Sequence, residues 1–356
     1  MDRPRFRAAD LHAFIAGVLG SHGVPAEDAR QAADVLIYAD LAGIESHGIA
    51  HLATHRAYVP GLKSGDVNPR ETVLVLRESP VSAAWDAGGG MGVAVAPRAM
   101  GACITKAESA GIGMITVANG RHFGAAGYYA KMAADRGLIG MAMCNAGPRG
   151  VAAGGVEPVL GTNPIAIGVP SASGEPFLLD MATTAVAAGK LEIARRVGRS
   201  IPEGWAIDAG GRNSTDPQVT ERGGSLLPLG SWLATSSYKG SGLGMAVDMF
   251  TGLLSGQGAG YTNSGMRARN AFWFAAWRID LFRDPGEFMA DVEAFIARVG
   301  TTRPEPGVER VLVAGEKEAI ARADREANGI PLEPPTVAEL RELAAETGIA
   351  LPAPIS

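Results

Sequence analysis

Three of the chain's six histidines, His47, His51 and His55, fall within residues 47–55, each four positions from the next. On a helix that spacing places neighbours about 40° apart around the axis, so adjacent imidazoles face one side. Imidazole changes charge near neutral pH, which suits such a cluster to proton transfer or to holding a metal ion. The zinc reading has a His-x3-His pair but no intervening glutamate of the His-Glu-x-x-His kind and no evident third ligand. The proton-transfer reading centres on His47, where Ser46 is a good helix N-cap type and Gly48 permits close approach of a ligand. Oxidation of a secondary alcohol needs such a group, because the hydroxyl proton must leave as hydride departs from carbon. His55, followed by Arg56, reads as a half-exposed surface residue.

A fourth histidine, His122, lies at a predicted strand-to-helix junction, where α/β sheets place ligands. Asn119 and Arg121 beside it are of types that bind a carboxylate, carboxamide or phosphate. A packing histidine at a helix start accounts for the same pattern. Lys239 precedes the Gly240-Ser-Gly242 turn and an apolar helix, the arrangement of a phosphate site, although a solvated surface lysine fits as well. With 48 glycines in the chain, chance matches to glycine motifs are expected. Gly88-Gly-Gly-Met-Gly92 and Gly240-Ser-Gly-Leu-Gly244 both lack the third glycine of G-x-G-x-x-G, at Val93 and Met245, and tight turns explain them without a Rossmann site.

The elements that must position these groups change along the chain. Residues 9–39 carry apolar positions at helical spacing, with Pro25 opening a second helix. After the turn-rich link 63–69, β-type runs follow at 72–76, 81–85, 114–117, 138–144, 165–169 and 177–179. Helical patterns at 95–110 and 123–134 alternate with the first strands, which predicts an α/β sheet, and short turns between the later strands make part of it antiparallel. A glycine-rich loop spans 198–230 and an apolar helix 242–254. Beyond them come a strand at 272–277 and helices at 287–299, 316–328 and 337–346, the last with Thr336 and Glu339 as a capping box.

At 356 residues, 47% of them hydrophobic, the chain is long enough for one large domain or two, and a boundary near residue 70 is plausible from the change of texture. The formal charge of -5 and scattered basic residues leave no reason to expect nucleic acid or an anionic membrane as a partner, and no apolar run approaches the roughly 18 residues of a membrane span. A small molecule is the expected partner. The two cysteines, Cys103 and Cys144, lie in apolar surroundings without a CxxC, as buried reduced thiols, and the cytoplasm is the default compartment.

Seven motifs in order resemble the malate/L-lactate dehydrogenase family of the second, non-Rossmann type, over nearly the whole chain. They are Gly43-Ile-Glu-Ser-His-Gly48, His122-Phe-Gly-Ala-Ala-Gly-Tyr-Tyr-Ala130, Gly161-Thr-Asn-Pro164, Asp180-Met-Ala-Thr-Thr184 with Gly189-Lys190, Gly204-Trp-Ala206, Leu227-Pro-Leu-Gly230 and Tyr238-Lys-Gly240. The resemblance implies an α/β fold with a non-Rossmann mixed-sheet cofactor domain, about 71–229 plus 261–304, and a helical domain from both chain ends, 1–70 plus about 230–260 and 305–356. It implies a homodimeric oxidoreductase that uses NAD or NADP to interconvert a 2-oxo acid and its 2-hydroxy acid, or to reduce a cyclic imino acid. His47 and His122 match the catalytic positions and Ser46 a substrate contact. Asp180, Met181, Ala182, Lys239, Gly240, Gly315, Glu316, Thr162 and Asn163 match the cofactor stretches. No residue is identifiable as the reader of the ribose, so NAD and NADP stand equally.

Two departures bear on the substrate. His51 stands where the family usually has an arginine that clamps the carboxylate, and Gly120 replaces a serine. Either His51 with another cation such as Arg121 holds the carboxylate, or the substrate is not an ordinary 2-hydroxy acid. Two readings from other classes stay open at this point: a zinc-dependent hydrolase using the histidines at 47, 51 and 55, and a binder of nucleotide or small acid without catalysis.

Overall fold

The computed structural model describes residues 3–70, 72–262 and 268–355. The chain opens with β1 (Arg5–Phe6), α1 (Ala8–Ser21) and α2 (Ala26–Leu41), then a 3-10 turn (Glu45–His47) and two short helices, α3 (Ala50–Thr54) and α4 (Val59–Ser64). There follow β2 (Leu74–Glu78), β3 (Ser82–Asp86), α5 (Gly92–Ala110), β4 (Ile112–Gly120), α6 (Ala126–Ala134) and β5 (Leu138–Cys144). Short strands β6 (Gly150–Val151) and β7 (Pro158–Leu160) lead to β8 (Ile165–Val169), β9 (Phe177–Met181) and α7 (Ala188–Arg196). The glycine-rich stretch expected as loop supplies β10 (Ala206–Ile207), β11 (Asn213–Ser214) and β12 (Ser225–Leu226). The remainder is α8 (Ser237–Asp248) with a π-turn to Leu253, β13 (Asn270–Arg278), α9 (Pro285–Gly300), α10 (Glu316–Asn328), β14 (Ile330–Pro331) and α11 (Pro334–Thr347).

The main sheet has the order β2-β3-β4-β13-β5-β8-β9. Only β3 and β4 run parallel, joined across the face by α5, and every other neighbour is antiparallel. The sheet is therefore mixed, as expected, and has no run of parallel strands of the Rossmann kind. Central β13 alternates its side chains between two cores: Phe272, Phe274 and Ala276 face the α5 and α6 side, while Trp273 and Ala275 meet Val247 of α8 on the other. A second sheet, β11-β10-β12-β6-β7, stands beside it.

The helical layer draws on both chain ends. Pro25 fixes the entry to α2, whose Ala32, Ala33 and Leu36 pack on Leu11, Ile15 and Leu19 of α1. β1 pairs with β14, Phe6 opposite Ile330, and α11 and α10 close on α1 and α2. One buried cluster runs from Phe6 and Leu36 through Val93 and Phe274 to Leu340, so residue 70 does not divide two separate cores. α8 packs against β5 of the main sheet and β7 of the second.

Three boundaries differ from the sequence reading. The last helix starts at Pro334 behind Glu333, and Thr336 is buried inside it with no side-chain cap bond, because proline pre-sets the first helical turn upstream of the expected capping box. α8 begins at Ser237, which puts Lys239 inside its first turn; α6 begins at Ala126, leaving residues 122–125 outside the helix. Among the described residues no helix is long and apolar enough to cross a membrane.

Candidate active site

The histidines at 47–55 do not share a single helix. His47 closes the 3-10 turn, Gly48 breaks the backbone, His51 lies in α3 and His55 is its C-cap. Their rings nevertheless converge with that of His122: His47 stacks on His122 at 5.4 Å between centroids, His51 on His55 at 4.9 Å, and His55 lies 4.9 Å from His122. His55 is half-exposed, as Arg56 beside it suggested, and its ring also belongs to the cluster. Ser46 is in the middle of the 3-10 turn and caps no helix; its Oγ is 2.9 Å from His47 Nδ1.

The loop that carries His47 is anchored from below. Buried Asp40 of α2 accepts the Ile49 N–H at 2.7 Å, and a Cβ on Gly48 would lie 2.0 Å from Asp40 Oδ1. Only glycine fits that approach. From the other chain end, Arg325 of α10 donates to the Asp40 carbonyl and pairs with Glu45. α7 presses on the same turn, since a Cβ on Gly189 would come within 2.7 Å of Ser46 Cβ. His122 is fixed by Tyr58, whose hydroxyl is 2.8 Å from Nδ1, and by the Gly124 N–H, which donates to the same nitrogen at 3.3 Å. Gly92 permits this placement, because a Cβ there would meet the His122 carbonyl at 2.6 Å. The Gly88–Gly92 pattern therefore ends in a packing contact.

The four rings are half-buried. Burial holds His47 down to about 4, and His55 likewise to about 4 with further lowering from Arg149, His47 and Arg56. His51 and His122 are lowered in the same direction, first by burial and then by neighbouring charges. At neutral pH the cluster is uncharged. Because His122 Nδ1 and His55 Nδ1 each accept a backbone N–H, their neutral rings carry the proton on Nε2. His51 Nδ1 is buried without a partner among the described residues. Among the described residues no group of three His, Cys, Asp or Glu is arranged to hold a metal ion, so the zinc reading finds no ligand set.

Arg121 is placed elsewhere than its sequence position suggested. It is 5% exposed, and its two Nη atoms donate to the backbone carbonyls of Ala268 and Asp66. Burial lowers it to about 10, and its hydrogen-bonding fork is occupied by the main chain. Asn163 is also committed internally, to Gly244, Asp248 and the Ala146 N–H. The Thr162 carbonyl accepts the Thr183 N–H at 2.9 Å.

The other cofactor candidates gather along β9. Asp180 accepts the N–H of Gly127 in the first turn of α6 at 2.7 Å, and burial raises it to about 6. Gly315, at φ 90°, packs its backbone on Leu178, and Glu316 caps its own loop through the Val313 N–H and Arg310. Leu229 links the remaining stretch, for its N–H donates to the Thr183 carbonyl at 2.9 Å while a Cβ on Gly240 would lie 2.4 Å from its nitrogen. Met181 and Ala182 lie between these contacts. Lys239 stands exposed in the first turn of α8.

Four half-buried imidazoles, uncharged at neutral pH, meet where β4 leaves a non-Rossmann mixed sheet, an arrangement in keeping with the proton exchange that a dehydrogenase requires. The family model for malate/L-lactate dehydrogenase matches residues 6–341, and the chain belongs to that family. It is a dehydrogenase. It is 41% identical over 344 residues to malate dehydrogenase of Pyrococcus abyssi, covering 96% of this chain and 94% of that one. L-sulfolactate dehydrogenase of Methanocaldococcus jannaschii is 35% identical, with 94% and 95% covered. The crystal structure of malate dehydrogenase from Entamoeba histolytica superposes with a TM-score of 0.95 at 32% identity, covering 99% of this chain and all of that one.

Sequence reasoning missed Tyr58, Asp40 and the part played by His55. The His55-to-Tyr58 spacing was a usable signal for Tyr58, since both are ring residues three apart. Asp40 sits in an apolar helix and carried no local mark of a loop anchor.

Proposed function

We propose that the protein interconverts a small 2-hydroxy acid and its 2-oxo acid with NAD or NADP, with His47 as the acid/base. The observation that carries this reading is the Ser46–His47 pair set against His122 within a neutral cluster. A hydroxyl oxygen accepts the Nδ1–H, so Ser46 supports His47 in either direction. In oxidation neutral His47, its Nδ1–H donating to Ser46 Oγ, takes the substrate hydroxyl proton on Nε2 and becomes an imidazolium; in reduction that imidazolium returns the Nε2 proton to the substrate oxygen and is neutral again. His122, held by Tyr58, orients the reacting oxygen through its Nε2–H.

The residues present fit a dinucleotide. An exposed lysine in the first turn of a helix twelve residues long combines an ammonium with the positive end of the helix dipole, the donor set a pyrophosphate requires. Lys239 and Gly240 would hold the phosphates, with Asp180, Met181, Ala182 and the Gly315–Glu316 turn along the rest of the cofactor. The nicotinamide, when bound, supplies the hydride acceptor or donor.

Leu243, Met249, Phe250, Leu253 and Leu254, all exposed on α8 and the turn after it, form an apolar face that a homodimer would cover. Sedimentation of the protein as a monomer would remove that assignment. The two free, buried thiols fit a reducing compartment such as the cytoplasm. The reading is tested by mixing the protein with NADH or NADPH and a panel of 2-oxo acids and cyclic imines and following the nicotinamide absorbance. Loss of absorbance with a 2-oxo acid supports it, turnover of cyclic imines alone moves it to the imino acid class, and cofactor binding without turnover of any substrate leaves a binder.

A further inference from the structure

The acidic substrate proposed above needs a cation, and the cluster itself is neutral. Arg121 is occupied by main-chain carbonyls. On the Ser46 and His51 side lies a cavity of about 130 Å³. Its charged lining sets Asp40, Glu45, Glu192 and Glu333 against Arg3 and Arg196. Both arginines are already paired, Arg196 with Glu192 at 2.8 Å and Arg3 with Glu333. A carboxylate meets an acidic excess there.

The opposite side, where His55 and His122 meet, differs. Arg149 follows Pro148 in the loop after β5, and its backbone is pinned in the small sheet: its N–H donates to Leu160 at 2.9 Å and its carbonyl accepts from Leu226 at 2.8 Å. The side chain is exposed and, among the described residues, makes no hydrogen bond or ion pair. Its charge falls on both His55 and His122, rings 4.9 Å apart that come from distant parts of the chain. The charge of Arg56 reaches His55 alone within the cluster.

We propose that Arg149 binds and orients the substrate carboxylate, from the side of the cluster where His55 and His122 meet. The proposal rests on the hydroxy-acid reading, because a substrate without an acid group has no use for this cation. A planar guanidinium offers a carboxylate two parallel hydrogen bonds, and a pinned main chain with an unpaired side chain lets it do so without breaking an existing bond.

Oxamate, a stable mimic of a 2-oxo acid, is the probe. Its binding to the NADH or NADPH complex, whichever forms, is measured by calorimetry for the wild type, Arg149→Gln, Arg149→Lys and Arg56→Gln. The expected result is a loss of about 10- to 100-fold in oxamate affinity for Arg149→Gln. Nucleotide affinity should be unchanged, Arg149→Lys should recover part of the loss, and Arg56→Gln should stay near wild type. Oxamate binding within about twofold of wild type in Arg149→Gln, or no oxamate binding to the wild-type complex, overturns the proposal. The two readings fail separately. Oxamate binding that depends on Arg149 without oxidation of any 2-hydroxy acid leaves the anchor and removes the dehydrogenase reading; hydroxy-acid oxidation with unchanged kcat/KM in Arg149→Gln does the reverse.

Discussion

The histidine cluster and the β9 face handle charge in opposite ways. Around His47 the protein buries titratable rings until they are neutral, and holds them with groups that tolerate no displacement: the Asp40 carboxylate under Gly48 and the Tyr58 hydroxyl on His122. Along β9 and α8 it leaves Lys239 in solvent and offers backbone and a helix end. The difference teaches that proton transfer needs an environment the protein supplies complete, whereas a charged dinucleotide brings its own charges and needs only complementary ones presented to it.

Substitutions on the two sides should therefore fail differently. The largest effect is expected at His47: His47→Ala should lower kcat by roughly 10²- to 10⁴-fold while nucleotide affinity stays within a few-fold. An unchanged kcat would transfer the acid/base role to His122. Next is Gly48→Ala, in which the new methyl must displace Asp40 and loosen the His47 loop; overpacking of this kind costs about 1–3 kcal/mol, read as a fall in Tm. A Tm equal to wild type would show that the loop is not held by this contact. On the β9 side, Lys239→Ala should raise the nucleotide Kd about tenfold or more, with kcat at saturating nucleotide near wild type. If kcat falls instead and Kd holds, the lysine belongs to the chemistry and the contrast breaks down. Tyr58→Phe is expected to be milder, about fivefold in kcat, since His122 keeps its bond from Gly124.

The smallest effect is in pH dependence, and its sign separates the histidines from the two buried aspartates. His47 and His55 titrate at about 4 in the folded chain against 6.5 unfolded. The unfolded chain then binds more protons between those values, so this contribution to stability is full above 6.5 and is lost as pH falls towards 4. Asp40, raised to about 7, and Asp180, raised to about 6, act in the opposite sense: their contribution is present below 3.8 and lost as pH rises through the folded values. Five lowered histidines, the four of the cluster and His22, outnumber two raised carboxylates, so Tm should fall on acidification from pH 6.5 and His55→Gln should flatten that fall. A Tm that rises over this range would mean that burial does not hold the rings neutral.

Much of the fold was legible because it depends on local pattern. β5, β8 and α10 occupy the residues their periodicity indicated, and Pro25 opens α2 as its fixed φ requires. The short strands at 206–226 were not legible, since two-residue strands among glycines have no period to detect. In the site, His47, His122 and Ser46 stood out by residue type and motif. What was not legible at His55 and Arg121 has one physical cause: ring contacts and hydrogen bonding are set by what packs against a residue from distant sequence, and neighbours such as Arg56 carry no information about it. His55 meets the ring of His122, and Arg121 is claimed by carbonyls 55 and 147 positions away.

The sequence by itself determined the family, the mixed α/β class and the chemical kinds of group at the site, because motifs and periodicity are local and survive without coordinates. Only the tertiary structure decided that four histidines form one neutral cluster across a broken helix, and that Arg121 is occupied while Arg149 is unpaired among the described residues. Burial and charge fields act through space, and along the chain those residues are as much as 100 positions apart.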